Sequence, residues 1–61
     1  MKVGDLVQYR NHWIKEKYGV AIVVFVDKAN SRVKVRWLAD LSYDSIESML
    51  NLEVYHWLME E

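Results

Sequence analysis

A chain of 61 residues allows one domain, so we assign residues 1–61 to a single unit. Domains this small bury only about 60% of the surface that they expose when unfolded, and their stability is marginal. The sequence has no cysteine, which excludes disulfides and thiolate metal sites. Stability must come from apolar packing, and 52% of the residues are hydrophobic. Because association would bury more surface, we expect a partner protein or a homodimer.

The charges are distributed unevenly along a chain whose formal net charge is only −1. All eight Lys and Arg residues lie between Lys2 and Arg36, whereas six of the nine acidic residues follow Trp37. This polarity has two interpretations: a folded surface that neutralises itself, or a basic side and an acidic side that steer a partner. With so small a net charge, the whole molecule is not expected to be drawn strongly to nucleic acid or membranes.

No segment suggests a membrane span or a secretion signal. The longest unbroken apolar run, Val20–Val26, is much shorter than the roughly 20 residues that a helix needs to cross a bilayer. The N-terminus carries a lysine but lacks the apolar core of a signal peptide. We therefore expect a cytoplasmic protein with no membrane partner.

The first predicted strand is Val3–Arg10, which alternates in a β-like manner after a turn at Gly4. The next segment, Asn11–Lys17, has no clean period and is predicted to be a loop that carries Trp13. Together they predict a strand followed by an irregular connection with an aromatic side chain in it.

The stretch from Tyr18 to Leu38 predicts two strands joined by a tight turn. In Tyr18–Asp27 the apolar residues do not alternate with polar ones, so we expect both faces of this strand to be covered. The turn is Lys28–Ser31, in which Asn30 tolerates a left-handed backbone. The second strand, Arg32–Leu38, alternates well, and its inward set should be Val33, Val35 and Trp37.

The last third of the chain fits two structures. Apolar residues recur at helical spacing over Ser45–Met59, and Asp44 with Glu47 resembles a capping pair, so a helix is one option. Alternation and branched residues favour a strand instead. We predict a short helical turn at Asp44–Leu50 followed by a closing strand at Leu52–Trp57.

Four motifs resemble those of SH3-like barrel modules: GDLV at Gly4–Val7, GVAIVVFVD at Gly19–Asp27, VKVRW at Val33–Trp37 and LEVY at Leu52–Tyr55. That class includes the KOW and Tudor-like domains, and small phage or bacterial proteins have similar openings. The resemblance implies a mainly β fold, a five-stranded barrel with a short helical turn before the last strand. It also implies binding rather than catalysis. If the gene is phage-borne, the compartment would be the host cytoplasm.

One candidate binding feature is a basic row on the third strand, where Arg32, Lys34 and Arg36 should point away from the core. Such a row can contact three successive phosphates, which predicts a salt slope of about −3 on duplex DNA. The alternative is a solvated face that protects the strand from aggregation.

The aromatic residues provide the other candidates. Trp13 and Tyr18 flank the first long loop, which in SH3-like barrels often borders the ligand groove. Alternatively, Trp13 covers one open end of the barrel. Tyr55 and Trp57 share a strand face with Met59, and this face would suit a partner or a second copy unless it is core.

Nothing in the sequence predicts an enzyme, a metal site or a cofactor. His12 and His56 are the only histidines, and they lack the spacing of a ligand pair. Ser42, Ser45 and Ser48 supply nucleophile types without any geometry for a triad. We expect a non-catalytic module for protein binding or self-association, and the alternative is a nucleic-acid-binding barrel that uses the basic row with Trp13.

Overall fold

The structure, a computed structural model, describes residues 1–55. Its strands are β1 (Leu6–Tyr9), β2 (Ala21–Asp27), β3 (Arg32–Trp37), β4 (Asp44–Ser48) and β5 (Leu52–Val54). A helix, α1 (His12–Tyr18), joins β1 to β2, and 3₁₀ turns at Lys28–Asn30 and Met49–Asn51 precede β3 and β5. The five strands form one antiparallel sheet in the order β4-β3-β2-β1-β5. The prediction of a mainly β, five-stranded fold with a helical turn before the last strand is confirmed.

The sheet is curved but is not closed into a barrel, because β4 and β5 remain its two edges. Side chains bridge part of the opening: the Tyr9 hydroxyl on β1 donates a hydrogen bond of 2.9 Å to the Glu47 carboxylate on β4. Since β2 and β3 lie between those strands in the sheet, this contact requires strong curvature. The predicted barrel is therefore corrected to a curled open sheet.

The hydrophobic core lies on the inner face of this curved sheet. Strand β3 alternates between exposed and buried residues along its whole length, and Val33, Val35 and Trp37 are buried as predicted. The pattern follows from the two-residue repeat of a strand, which sends successive side chains to opposite faces. The other buried members of the core are Val7, Ala21, Val23 and Leu52.

Strand β2 departs from the prediction in its start and in its burial. It begins at Ala21 instead of Tyr18, and Phe25 on its outer face is 60% exposed. The pairing with β3 shifts register between Val23 and Phe25, which marks a bulge. The prediction that both faces of this strand are covered is wrong, because within residues 1–55 no second layer packs on the outer face.

The segment predicted to be a loop after β1 is the helix α1. The side chain of Asn11 accepts hydrogen bonds from the backbone N–H groups of Trp13 and Ile14, at 2.9 and 3.3 Å, and so caps the helix. The helix ends at Gly19, whose φ of +73° is readily adopted only by glycine. In the described residues, no helix is long and apolar enough to cross a lipid bilayer.

The β2–β3 turn has the predicted position but a different left-handed residue. Ser31, with a φ of +54°, adopts this conformation instead of Asn30. The Asn30 side chain donates a hydrogen bond of 2.9 Å to the carboxylate of Asp27, which holds the turn from within.

The predicted helical turn at Asp44–Leu50 is replaced by strand β4. This strand pairs with β3 over its whole length, from Asp44 opposite Arg36 to Ser48 opposite Arg32. The helix considered for Ser45–Met59 is therefore excluded over residues 45–55. The 3₁₀ turn comes later, at Met49–Asn51, and the closing strand starts at Leu52 as predicted. Its predicted end at Trp57 lies outside the described residues.

Candidate binding surfaces

Three aromatic rings pack together at the inner edge of the sheet. The ring centroids of Tyr9 and Trp37 lie 5.2 Å apart in a stacked arrangement. Tyr18, at the end of α1, contacts both rings at 5.7 and 5.9 Å and remains 43% exposed. Trp37 is core, as predicted, whereas Tyr18 contributes to this cluster and shows only part of its ring to solvent.

A chain of hydrogen bonds fixes these rings against β4. The indole N–H of Trp37 donates to the Ser45 hydroxyl at 2.9 Å, and that hydroxyl donates to Oε2 of Glu47 at 2.9 Å. The same Oε2 accepts the hydroxyl of Tyr9. Burial raises the pKa of Tyr9 well above its ordinary value, and the bond to Glu47 acts in the same direction. Ser45 thus has a structural role.

The surface beside α1 exposes large apolar side chains, and we call Trp13, Ile14 and Leu50 the α1 surface. Trp13 is 80% exposed and Leu50 is 78% exposed. The indole of Trp13 meets the ring of His12 edge-on at 5.6 Å. The alternative in which Trp13 covers an open end of the barrel is wrong, because its side chain extends into solvent.

A groove of about 300 Å³ runs between α1 and the 3₁₀ turn before β5. The Arg10 side chain donates to the carbonyl of Leu52 at 3.0 Å, and its backbone N–H donates to the carbonyl of Asn51 at 2.9 Å. With the cap at Asn11, these bonds fix the two walls relative to each other. The lining residues are Tyr9, Arg10, Asn11, Ile14, Leu50 and Asn51.

A second groove, of about 470 Å³, lies on the outer face of strands β2, β3 and β4, and we call it the outer groove. At its centre Phe25, Lys34 and Ile46 stand side by side on three neighbouring strands. Phe25 is 60% exposed and Ile46 is 65% exposed, so an apolar side chain flanks the lysine on each side. The remaining lining residues are Val24, Asp27, Arg32, Val33, Arg36 and Asp44.

The predicted basic row is present on this face, but two of its three charges are paired. Arg36 donates to both carboxylate oxygens of Asp44, at 2.8 and 3.1 Å, and this contact lowers the pKa of Asp44. Arg32 lies 3.9 Å from the carboxylate of Asp27. In residues 1–55, Lys34 forms no ion pair. Acidic residues from both parts of the sequence thus neutralise much of this face.

The aromatic residues predicted at the C-terminal end are only partly described. Tyr55 is half-buried, and its backbone N–H donates to the carbonyl of Leu6 at 2.7 Å. Trp57 and Met59, which were predicted to share its face, lie outside the described residues, as does His56. The proposed C-terminal apolar face therefore stays a prediction.

The residue types that suggested metal or hydrolytic chemistry are scattered. His12 is exposed on α1, with its Nε2 at 3.7 Å from the carboxylate of Glu16. Ser42 donates to Asp40 at 2.7 Å within a turn, and Ser48 accepts the backbone N–H of Leu50 at 3.2 Å. Over the described range 1–55, no three side chains of metal-ligating type come together.

Phe25, Ile46 and Leu50 are among the exposed apolar residues that the sequence did not single out, and all three line a groove. Phe25 was assigned to a covered strand, and Ile46 and Leu50 were assigned to a helical turn. Comparison of the chain with protein-family models, with curated proteins and with solved structures gives no match. The two grooves and their exposed residues are therefore the basis for a function.

Proposed function

We propose that this chain is a small, non-catalytic module of SH3-like architecture that binds a protein partner through the α1 surface. The strand order, with a connection of one helix between β1 and β2 and a 3₁₀ turn before β5, is compatible with that architecture. The binding role rests on the surface, because a fold alone does not define a function.

The observation that carries the proposal is the 80% exposure of Trp13 on a capped helix. Tryptophan is among the side chains that contribute most to protein interfaces, since it buries a large area with few rotatable bonds. It stands on the same helix as Ile14, which lines a groove whose walls are joined by hydrogen bonds from Arg10. Leu50 is exposed on the other wall of that groove and adds a second apolar anchor. A partner that covers both would remove the exposed apolar area from water.

Nucleic acid is the weaker candidate ligand for the molecule. Of the basic row, Arg32 and Arg36 already contact carboxylates, and a phosphate chain along β3 would also meet Asp27 and Asp44. Trp13 does not line the outer groove, so the stacking residue and the row do not form one surface. On this strand a single lysine that forms no ion pair within residues 1–55, flanked by two carboxylates, disfavours a ligand whose affinity comes from phosphate neutralisation.

The proposal is tested with Trp13→Ala in the full chain. A partner is first identified by affinity capture, and its affinity is then measured by calorimetry with both purified proteins. We expect a loss of about 30-fold, because an aromatic anchor at the centre of an interface contributes about 2 kcal/mol or more. The matched control is Leu41→Ala, which removes an exposed apolar side chain that lines neither groove and should leave this affinity unchanged.

Two outcomes would contradict the proposal. One is an affinity that Trp13→Ala does not change while the variant remains folded by circular dichroism. The other is filter binding of duplex DNA at low salt that disappears when Arg32, Lys34 and Arg36 are replaced by Ala, which would favour the nucleic-acid alternative. Sedimentation of the free chain distinguishes self-association from binding to a different protein.

A further inference from the structure

We propose that the outer groove is a second, separate interaction surface, and that its occupant is an acidic protein segment with a carboxylate between two apolar side chains. The row of Phe25, Lys34 and Ile46 and the ion pairs at its two ends distinguish this surface from the α1 surface, which shares no residue with it.

The charges of the groove are arranged as an ion pair at each end with a lysine between them. Arg36 and Asp44 pair at one end, and Arg32 and Asp27 pair at the other. Lys34 lies between them and forms no ion pair in the described part of the chain, although its charge also helps Arg36 to lower the pKa of Asp44. The three cations of the groove face two carboxylates, which leaves one positive charge in excess. A carboxylate placed over this row would meet one unmatched cation at the centre and neutralised pairs at both ends. The field of the groove is therefore complementary to a single negative charge.

Two exposed apolar side chains flank Lys34 in the groove. Phe25 and Ile46 are more than half exposed, although large side chains of this type are more often buried. Both lie directly beside Lys34, on the strands that pair with β3. Neighbouring strands are about 4.8 Å apart, so the two apolar side chains are separated by about 10 Å. In a ligand helix the spacing from residue i to residue i+7 is about 10.5 Å. A helix with apolar residues at those positions and Asp or Glu halfway between them matches the row.

Charge disfavours a symmetric pair of outer grooves as the occupant. Such a pair places the same patch of both molecules face to face. Lys34 is the middle of the row, so a two-fold axis through the row would bring the ammonium groups of the two Lys34 side chains together. Like charges at the centre of an interface oppose association, and an acidic partner has no such penalty.

The inference is tested by selecting from a displayed library of random 16-residue peptides (about 16 positions suffice for two helical spacings of seven). Wild-type protein and Lys34→Glu are used as separate baits. We expect the wild type to enrich peptides with Asp or Glu between apolar residues, and Lys34→Glu to enrich Lys or Arg at the same place. A synthetic copy of the wild-type consensus should bind Lys34→Glu and Phe25→Ser about tenfold more weakly or worse.

Two controls separate this surface from the rest of the molecule. Lys28→Glu makes the same charge change at an exposed residue of the β2–β3 turn, outside the groove, and should keep the wild-type consensus. Trp13→Ala should bind the consensus peptide with unchanged affinity, so failure of the α1 proposal does not affect this test. Lys34 is exposed, and folding of its variant is checked by circular dichroism.

Three results would overturn the inference. If the wild-type protein and Lys34→Glu enrich the same peptide consensus, the lysine does not select the ligand. A duplex oligonucleotide that binds through Lys34 and is not displaced by the peptide would assign the groove to nucleic acid. Self-association that Lys34→Glu abolishes would assign it to a second copy.

Discussion

The two faces of strand β3 share one backbone but differ in burial and in charge. On the inner face the side chains are at most 4% exposed, and they pack against β1, β2 and β5. On the outer face every side chain is exposed, and two of the three are held by exposed ion pairs. The residues compared are Val33, Val35 and Trp37 on the inside with Arg32, Lys34 and Arg36 on the outside.

This difference separates stability from recognition within a single strand. Burial of apolar surface contributes about 25 cal/mol per Å², so the inner face supplies most of the folding free energy. Exposed ion pairs contribute little, so the outer face can change without loss of the fold. Substitutions on the inside should therefore change the free energy of unfolding strongly, and substitutions on the outside should change it little and act mainly on binding.

The largest expected effect comes from Leu52→Ala. Leu52 is fully buried in the core, and deletion of a buried leucine side chain costs about 2–5 kcal/mol, including the cavity left behind. A domain of this size has about 3–9 kcal/mol of stability in total, at about 0.05–0.15 kcal/mol per residue. We expect the urea midpoint to fall steeply, or the chain to be unfolded in buffer.

The control for this prediction is Leu50→Ala, two positions earlier. Leu50 is 78% exposed, so the same chemical change should alter the free energy of unfolding by less than about 0.5 kcal/mol. Equal destabilisation by both variants would contradict the separation between a buried inner face and an exposed surface.

An intermediate effect is expected for Tyr9→Phe, which removes one bond of the network that joins β1 to β4. The hydroxyl donates to a carboxylate in a half-buried position, and its loss should cost about 1–2 kcal/mol. Glu47 keeps its bond from Ser45, which limits the penalty. Urea titration of the wild type and the variant at neutral pH measures the difference.

The same residue gives a pH dependence with a defined sign. The pKa of Tyr9 is raised in the folded state, first by burial and then by Glu47, from an ordinary value near 10. The unfolded state therefore loses its proton first, and the stabilisation is fully present below about pH 10 and is lost as the pH rises further. The stability difference between wild type and Tyr9→Phe should shrink over that range. A constant difference up to about pH 11 would show that the hydroxyl is not shielded.

The sequence predicted the centre of the sheet well because its signals are local. The alternation of Arg32–Leu38 follows directly from the two-residue period of a strand, and its three buried residues were selected correctly. The segment of helix α1 was predicted to be a loop because its seven residues are too few to establish a helical period. Asn11 was the available signal, since asparagine is a preferred residue at the start of a helix.

Strand β4 shows why the last third could not be assigned from pattern alone. Asp44 and Glu47 have the spacing of a helix cap, yet Asp44 pairs with Arg36 across the sheet and Glu47 accepts bonds from Tyr9 and Ser45. Arg36 and Tyr9 lie on other strands, 8 and 38 residues from their partners, so the pattern of residues 44–50 alone does not reveal these two contacts. The tertiary partners decided the structure.

The candidate sites also differ in whether they depend on local sequence or on the pairing of strands. Trp13 was selected from its position in a connection, and its exposure is a property of that connection. The row of Phe25, Lys34 and Ile46 depends on the register of three strands and on the bulge after Val23, which the sequence does not reveal. A single-strand pattern gave Lys34 but neither of its apolar neighbours.

The smallest effect is expected for Asp44→Asn, and it tests whether the outer face contributes to folding at all. Its carboxylate is held by Arg36, which lowers its pKa, so the stabilisation is present above the ordinary pKa of Asp and is lost as the pH falls through the lower folded value. We expect a decrease in the urea midpoint at neutral pH smaller than that of Tyr9→Phe. It should shrink in about 1 M salt, where charges are screened within about 3 Å.

A double-mutant cycle with Arg36→Gln isolates this pair. If Arg36 is the partner that matters, Asp44→Asn should have no further effect in the Arg36→Gln background. An effect that persists there, or a midpoint that falls as far as in Leu52→Ala, would mean that the outer face is part of the folding core. Its residues would then be constrained by stability, and the exposure of Phe25 and Ile46 could not be attributed to recognition.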